Sequence, residues 1–492
     1  MLFNSFEYIL LFLPITLLVY FVLLRQHLTV AAKLWLFLAS LFFYSWWNVK
    51  YTPLILGSIL FNYTIGGMLE NNGAAGNRFF PKRWIFVFGI AANVILLCYF
   101  KYMDFFIANV NVLGGIRLPL LHIVLPLGIS FFTITQIAFL VDAYEGLVEE
   151  RNLLNYALFV TFFPHLLAGP ILHHSEMMPQ FDRLRSKVLN WKNLHLGLVL
   201  FFIGLLKKVV LADQFALWAN TGFDSAQSLN FFEAWLASLS YTFQLYFDFS
   251  GYSDMAVGVG WMFNIRLPVN FNSPYKATSI IDFWKRWHIT LTNFVTIYLY
   301  TPLLRSFSRI TFTASMIAIF SAMLISGFWH GSGWTYVVWG GMHGAALVVN
   351  HVWRKKKLKM SPILGWMLTI GFINISFVFF RAKNWEASLK ILKGMATING
   401  VVLPHLFSRF ALLQGHKISF GPWLNGIQGN YVTLSYLLLA LFIVAVGKNS
   451  VQIAENFKPT QRNLAILIVM INVACWTILS NNRVSEFLYF QF

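Results

Sequence analysis

Charge is scarce in this sequence. Only 11% of its 492 residues are Asp, Glu, Lys or Arg, while 58% are apolar, a balance that excludes a soluble globular domain, because such a domain would expose very large contiguous apolar patches. Cysteine is almost absent: Cys98 and Cys475 both fall inside apolar runs, which excludes a disulfide framework or a cysteine metal site and predicts two buried thiols. The chain has no His-Glu-x-x-His pair, no Gly-rich phosphate loop and no Gly-x-Ser-x-Gly elbow, which argues against a metalloprotease, an ATP-driven pump and a serine hydrolase. No metal site and no bound cofactor are expected. The first apolar run has Glu7 ahead of it, no basic segment before it and no small-residue cleavage site after it, so it reads as a retained helix and not a signal peptide. The net charge of +18 comes from Lys and Arg scattered between apolar runs, the distribution of loops sorted by the positive-inside rule, and implies no nucleic-acid partner.

What the sequence has in abundance is apolar runs. A helix needs roughly 20 apolar residues to cross a bilayer, and runs near that length occur at about 7–24, 31–47, 53–69, 84–100, 120–140, 153–171, 195–212, 231–247, 312–327, 333–350, 362–380, 432–447 and 463–480. The reading is an all-α, multi-pass integral membrane protein, a single domain over residues 1–492 with roughly 11–13 transmembrane or re-entrant helices. The basic loops Arg25 to Lys33, Arg78 to Arg83, Arg354 to Lys359 and Lys448 to Arg462 are assigned to the cytoplasm, and alternating crossings then put both termini on the opposite side. Parity fails at 141–194, where an acidic loop (Asp142, Glu145, Glu149, Glu150) and a basic one (Arg183, Arg185, Lys187, Lys192) flank a single run.

Two places break the apolar pattern. From Asp248 to Asn293 no run is long and apolar enough to span, and the segment is rich in Gly, Pro, Asp and aromatics; irregular backbone at membrane depth requires cover by protein or a water-filled cavity. Within it, Ser279 followed three residues later by Asp282 predicts a helix start, and a helix carrying Phe283 to His288 would put Trp284 and His288, four apart, on one face. The second break is Ser326-Gly327-Phe328-Trp329-His330-Gly331-Ser332-Gly333. An ionisable imidazole at membrane depth is costly, which points His330 toward a cavity and toward chemistry, with Trp329 and Trp334 as walls; the bland alternative is a packing histidine with a satisfied hydrogen bond. His343, thirteen residues on, would lie roughly 20 Å away on a continuous helix and reads as structural. His165 and the pair His173-His174 flank a Gly-Pro break and read as polar loop packing. Asp248 and Asp254 either position a catalytic group or cap a broken helix and pair with Arg266 or Lys276.

Taken in order, Phe162-Phe163-Pro164-His165-Leu166 with Ala168-Gly169-Pro170, Asp248-Phe249-Ser250-Gly251-Tyr252-Ser253-Asp254, Asp282-Phe283-Trp284-Lys285-Arg286-Trp287-His288 and Phe328-Trp329-His330-Gly331 resemble the membrane-bound O-acyltransferase family. The likeness is to its bacterial branch that acetylates cell-envelope polysaccharides, typified by alginate O-acetyltransferase. Met1-Leu2-Phe3-Asn4-Ser5 and Phe487-Leu488-Tyr489-Phe490-Gln491-Phe492 extend it to both ends. The resemblance implies a ring of helices around a thinned centre, a motif-rich catalytic region at 248–330, and a cytoplasmic acyl donor, acetyl-CoA, meeting an acceptor from the other side. His330 matches the family's catalytic histidine and His288 its second polar position. Asp248, Tyr252, Asp254, Trp284 and Trp329 would line or support the cavity.

That implied chemistry is modest. A thioester is already activated, so the enzyme must deprotonate a hydroxyl, hold the carbonyl beside it and exclude water; a neutral imidazole of pKa about 6.5 suits the task. The aromatic tail at 481–492 reads either as an anchor at the outer interface or as an acyl relay through Tyr489, whose phenol ester is a better leaving group than an alkyl ester. The expected setting is the bacterial inner membrane with an extracytoplasmic acetyltransferase partner. Alternatives are D-alanyl transfer to teichoic acid, a transporter, lowered by the lack of an inverted repeat, and a platform for a periplasmic enzyme. The basic cluster Arg354 to Lys359 reads as a topology signal or as an attractor for a phosphate-rich donor.

Overall fold

The computed structural model describes residues 1–74, 81–148, 151–183, 188–410, 418–480 and 485–488. Helices make up nearly all of the regular structure; the one exception among the described residues is a two-stranded parallel ribbon, Val401–Leu403 with Ile418–Phe420. Seven helices among the described residues are long and apolar enough to cross a membrane: Glu7–Arg25, Val49–Glu70, Lys82–Gly114, Trp191–Ser225, Phe312–His330, Pro362–Arg381 and Gln461–Ser480. Thr29–Ser45 and Tyr431–Val446 are apolar but shorter. The protein is therefore a multi-pass, essentially all-α membrane protein, and many of its large apolar side chains, such as Leu18, Ile95 and Phe442, face outward, as lipid contact requires.

Contacts divide the chain into two compact units, one of Met1–Leu205, Tyr252–Asn270 and Ser450–Phe492, the other of Leu206–Gly251 and Phe271–Asn449. In the first unit, Met1, Trp46, Trp47 and Glu486 line one cavity of about 530 Å³, so the N-terminus, the second helix's far end and the tail share one end, away from the basic turn after Arg25.

The expected run at 153–171 is not one helix. Leu153–Thr161 stops after nine residues, Phe163–Leu166 follows Phe162 at ψ 109, and Pro164 and Pro170 prevent any continuous ladder. All of 155–172 is nevertheless buried. At the break, a side chain on Gly169 would run into the His165 Cα, so only glycine lets the chain fold back. Asp142, which the sequence places in an acidic loop, is instead buried on the last turn of Ile129–Glu145 and pairs with His174 at 3.1 Å. These reversals are why alternating crossings could not be threaded there. Both cysteines are unpaired and half-buried, less enclosed than expected.

The larger correction lies at Asp248. The chain does not break there: Phe231–Met262 is one helix of 32 residues, buried at every position from Tyr241 to Gly260. It escapes a hydropathy reading because small and polar residues (Ser250, Gly251, Ser253, Asp254, Gly258, Gly260) interrupt its apolar run; these suit close packing within the bundle and not lipid contact. The irregular stretch is shorter than expected, from the end of this helix to Ser279, apart from one short turn at Pro274–Lys276.

Candidate functional site

The second unit builds the site around a helix hairpin. Phe312–His330 ends at His330, Gly331 is extended (φ −165, ψ 154), and Trp334–Lys355 starts after Gly333. The two helices cross at glycines. A Cβ on Gly340 would stand 2.6 Å from the Met323 carbonyl oxygen and 3.0 Å from the Gly327 Cα, and one on Gly344 would stand 3.0 Å from Phe320. Gly340 and Gly344, four apart, form the small-residue stripe that allows such close approach.

The hairpin stacks the ends of its helices on each other, and His330 is buried there among rings. Its imidazole meets Trp329 at 4.9 Å between centroids, Trp339 at 5.2 Å in an edge-on arrangement (87°) and Phe380 at 5.3 Å. Trp339 is the wall that the sequence reading missed, and Trp334, chosen there, is 53% exposed. The signal was present: once the chain reverses at Gly331–Gly333, Trp339 and His343, four apart, share a face that returns toward His330.

The continuous helix assumed for His343 does not exist, so the distance expected from it fails. The His343 ring lies 4.7 Å from the Trp339 ring, which itself lies 5.2 Å from His330. The surroundings of the His343 ring are those of a packing residue. Its Nδ1 accepts from Trp284 Nε1 at 3.2 Å, which places the proton on Nε2, donating to Ser376 Oγ at 3.0 Å; Ser376 in turn donates to the Ile373 carbonyl. Both ring nitrogens are thereby used, and three helices are tied together.

Ser279 caps its helix as predicted, its Oγ accepting from Asp282 N–H at 3.2 Å. The helix then ends early: Ile280–Trp284 has five residues, and Lys285 to Trp287 form a turn held by Arg286 Nε on Asp282 (2.9 Å) and by Asn272 N–H on the Arg286 carbonyl (2.9 Å). Trp284 and His288 therefore do not share a helical face. His288 sits at φ 44, ψ 53, a left-handed conformation uncommon for a residue with a side chain. Such strain persists only where the surroundings over-determine it. Here they do: His288 is 1% exposed, with the Phe249 ring edge-on at 4.7 Å. It belongs to none of the spanning helices, and burial lowers its pKa to about 3, so it is neutral at any working pH. Next to it, Trp287 packs on Phe271, Phe283 and Phe377 at 5.1–5.5 Å. Phe377 contacts Phe380, which contacts His330, so one aromatic layer joins the two histidines.

Asp248 is paired, though with neither Arg266 nor Lys276. Lys208 Nζ donates to it at 2.7 Å and bonds Asp213 at 2.9 Å, and the Lys208 and Asp248 side chains are each 2% exposed. Arg266 instead covers the Trp261 ring, and Lys276 donates to the Gly447 carbonyl at 2.7 Å.

Tyr252 and Asp254 belong to the first unit, both buried. Tyr252 stacks on Phe3 (4.9 Å, 6°) and meets Phe487 edge-on at 5.0 Å. Ser485 accepts from Asn4 Nδ2 at 3.0 Å, and Phe487 is 0% exposed. This part of the tail docks on protein and not on the lipid interface. Tyr489 lies outside the described residues.

Among the described residues no cluster of His, Cys, Asp and Glu could hold a metal ion. Residues 9–389 match the model of the membrane-bound O-acyltransferase family. The chain is 45% identical to the peptidoglycan O-acetyltransferase of Helicobacter pylori over 100% of its own length and 98% of the relative's. It is 34% identical to the probable alginate O-acetylase of Pseudomonas putida, with 100% of each covered. The teichoic acid D-alanyltransferase of Streptococcus thermophilus is 30% identical over 52% of this chain and 68% of the relative.

Proposed function

Because this chain belongs to the membrane-bound O-acyltransferase family, we propose that it takes acetyl from acetyl-CoA on the cytoplasmic side of a bacterial inner membrane and delivers it for O-acetylation of an extracytoplasmic envelope polysaccharide, peptidoglycan before alginate. That it is an acyltransferase follows from the family; acceptor, donor and compartment are the proposal. The observation that carries it is His330, a buried imidazole walled by Trp329, Trp339 and Phe380 inside the matched residues. The 45% identity to a peptidoglycan O-acetyltransferase across the whole chain, against 30% over half of it for a D-alanyltransferase, favours acetyl over D-alanyl.

His330 acts as general base. It takes the proton of an acceptor hydroxyl while that oxygen attacks the thioester carbonyl; the tetrahedral intermediate collapses to the ester, and the departing thiolate of coenzyme A recovers the proton from the imidazolium. The rings around His330 exclude water, which would hydrolyse the donor. His288 is a positioning residue for the carbonyl or the acceptor, and Asp248 and Trp284 support the packed layer around the site. The first acceptor is the phenol of Tyr489, whose ester then passes to a serine hydroxyl of an extracytoplasmic acetyltransferase partner; the common end shared by Met1 and Glu486, away from the basic turn after Arg25, supports a tail on the outer side.

The test is purified protein in proteoliposomes given radiolabelled acetyl-CoA from the basic-loop side. The proposal expects alkali-labile ester on the chain itself and, with partner present, on polymer. Label crossing without ester would make the chain a transporter, and neither outcome would leave it a platform.

A further inference from the structure

Away from His330, the second unit carries a groove of about 750 Å³ that the chemistry above does not use. Its walls come from the last turns of Trp334–Lys355 (Ala345, Val349, Trp353) and the first turns of Pro362–Arg381 (Leu368, Phe372). The volume is within the roughly 300–1,000 Å³ of small-ligand sites. Val349, Leu358 and Leu368 on its rim are 63%, 49% and 55% exposed, so the groove opens sideways, where a membrane protein meets acyl chains.

Its mouth is cationic. Arg354 lines the groove, and Lys355, Lys356, Lys357 and Lys359 follow it immediately, all exposed. A polybasic run directly beside a span attracts anionic lipid headgroups, and a phosphate held there would leave its acyl chain over the apolar walls. The groove also holds a polar acceptor: the Asn350 side-chain oxygen is buried and has no hydrogen-bond partner among the described residues. That oxygen suits a headgroup hydroxyl. We propose that this groove binds one anionic phospholipid of the phosphatidylglycerol class, phosphate at Arg354 and the lysines, glycerol hydroxyl at Asn350, and one acyl chain along Val349, Leu368 and Phe372. The site is one ring removed from the histidine ladder, because Phe372 on its floor meets His343 edge-on at 5.2 Å.

The experiment is native mass spectrometry of the full chain in detergent, titrated with phosphatidylglycerol and with phosphatidylcholine of the same chains, each with coenzyme A or inorganic phosphate as competitor. One phosphatidylglycerol should be retained at least tenfold more tightly than phosphatidylcholine, and neither competitor should displace it. Arg354→Gln with Lys359→Gln should weaken it about tenfold, and Ala345→Phe, which fills the open groove, should do so as well, while Ala345→Ser should not. Thermal unfolding of each variant screens for misfolding, and Ala345→Ser with Arg354→Gln keeps the test usable should the phenylalanine fail to fold. Equal retention of the two lipids, displacement by coenzyme A, or binding unchanged by both Arg354→Gln and Ala345→Phe would overturn the assignment; displacement by coenzyme A would reassign the cluster to the donor's phosphates.

Discussion

Gly340→Ala tests whether the helix hairpin places the His330 imidazole for the proposed reaction. The new methyl would arrive 2.6 Å from the Met323 carbonyl oxygen, where ordinary contact begins at 3.4 Å, and the opposing atoms are backbone that cannot rotate away. The helices must separate by most of an ångström. Overpacking of this kind costs about 1–3 kcal/mol of stability. Function should suffer more: Trp339, adjacent to the substituted residue, forms one wall of His330, and a misplacement of about 1 Å at a reacting group lowers rate by roughly 100-fold. Gly341→Ala is the control, because its methyl would meet only Leu324 Cδ1 at 3.7 Å, an ordinary contact. The assay is acetyl transfer from labelled acetyl-CoA by purified variants, with thermal unfolding beside it. Gly340→Ala should lose about 10- to 100-fold in kcat with a modest fall in Tm, and Gly341→Ala should match wild type in both. Equal activity of the two variants would refute the argument that hairpin closeness sets the site.

Three further outcomes are expected. Asp248→Ala removes a carboxylate partner from the buried Lys208, so unfolding should lose about 3 kcal/mol, the lower end for a broken buried pair, whereas Lys208→Met with Asp248→Leu should recover most of that loss; a double variant as unstable as the single would contradict it. His288 binds no proton in the folded state above about pH 3 but binds one below about pH 6.5 when unfolded, so stability should fall as pH drops from 6.5, by at most about 1.4 kcal/mol per unit, and His288→Asn should flatten that slope in detergent melts. Tyr489→Phe should abolish polymer acetylation and acyl-tyrosine in mass spectra while leaving membrane insertion intact; retained acetylation would reduce the tail to an anchor.

The sequence disclosed what local chemistry determines. The Ser279 cap, the glycine-flanked His330 and the membrane class were all readable, because each depends on residues a few positions apart. Helix length was not: a cap marks where a helix starts but not where it stops, and the turn ending at His288 depends on Arg286 reaching Asp282 and on Asn272 bonding from fourteen residues away. Asp248 misled for a related reason. A carboxylate among glycines and serines reads as a break, yet its partner Lys208 lies forty residues earlier, and that pairing lets one helix run straight through. Trp334 reads as a wall because it lies near His330 in sequence, but the reversal at Gly331–Gly333 transfers spatial nearness to Trp339 on the next helical turns.

The most direct measurement is a single-turnover assay of His330→Ala with labelled acetyl-CoA in proteoliposomes, run beside wild type and accompanied by thermal unfolding. Ester formation should fall by roughly 100- to 10,000-fold, the range of general-base catalysis, in a protein that still inserts and folds, with a Tm lowered only by the packing lost against Trp329, Trp339 and Phe380. Wild-type ester formation by well-folded His330→Ala would contradict it.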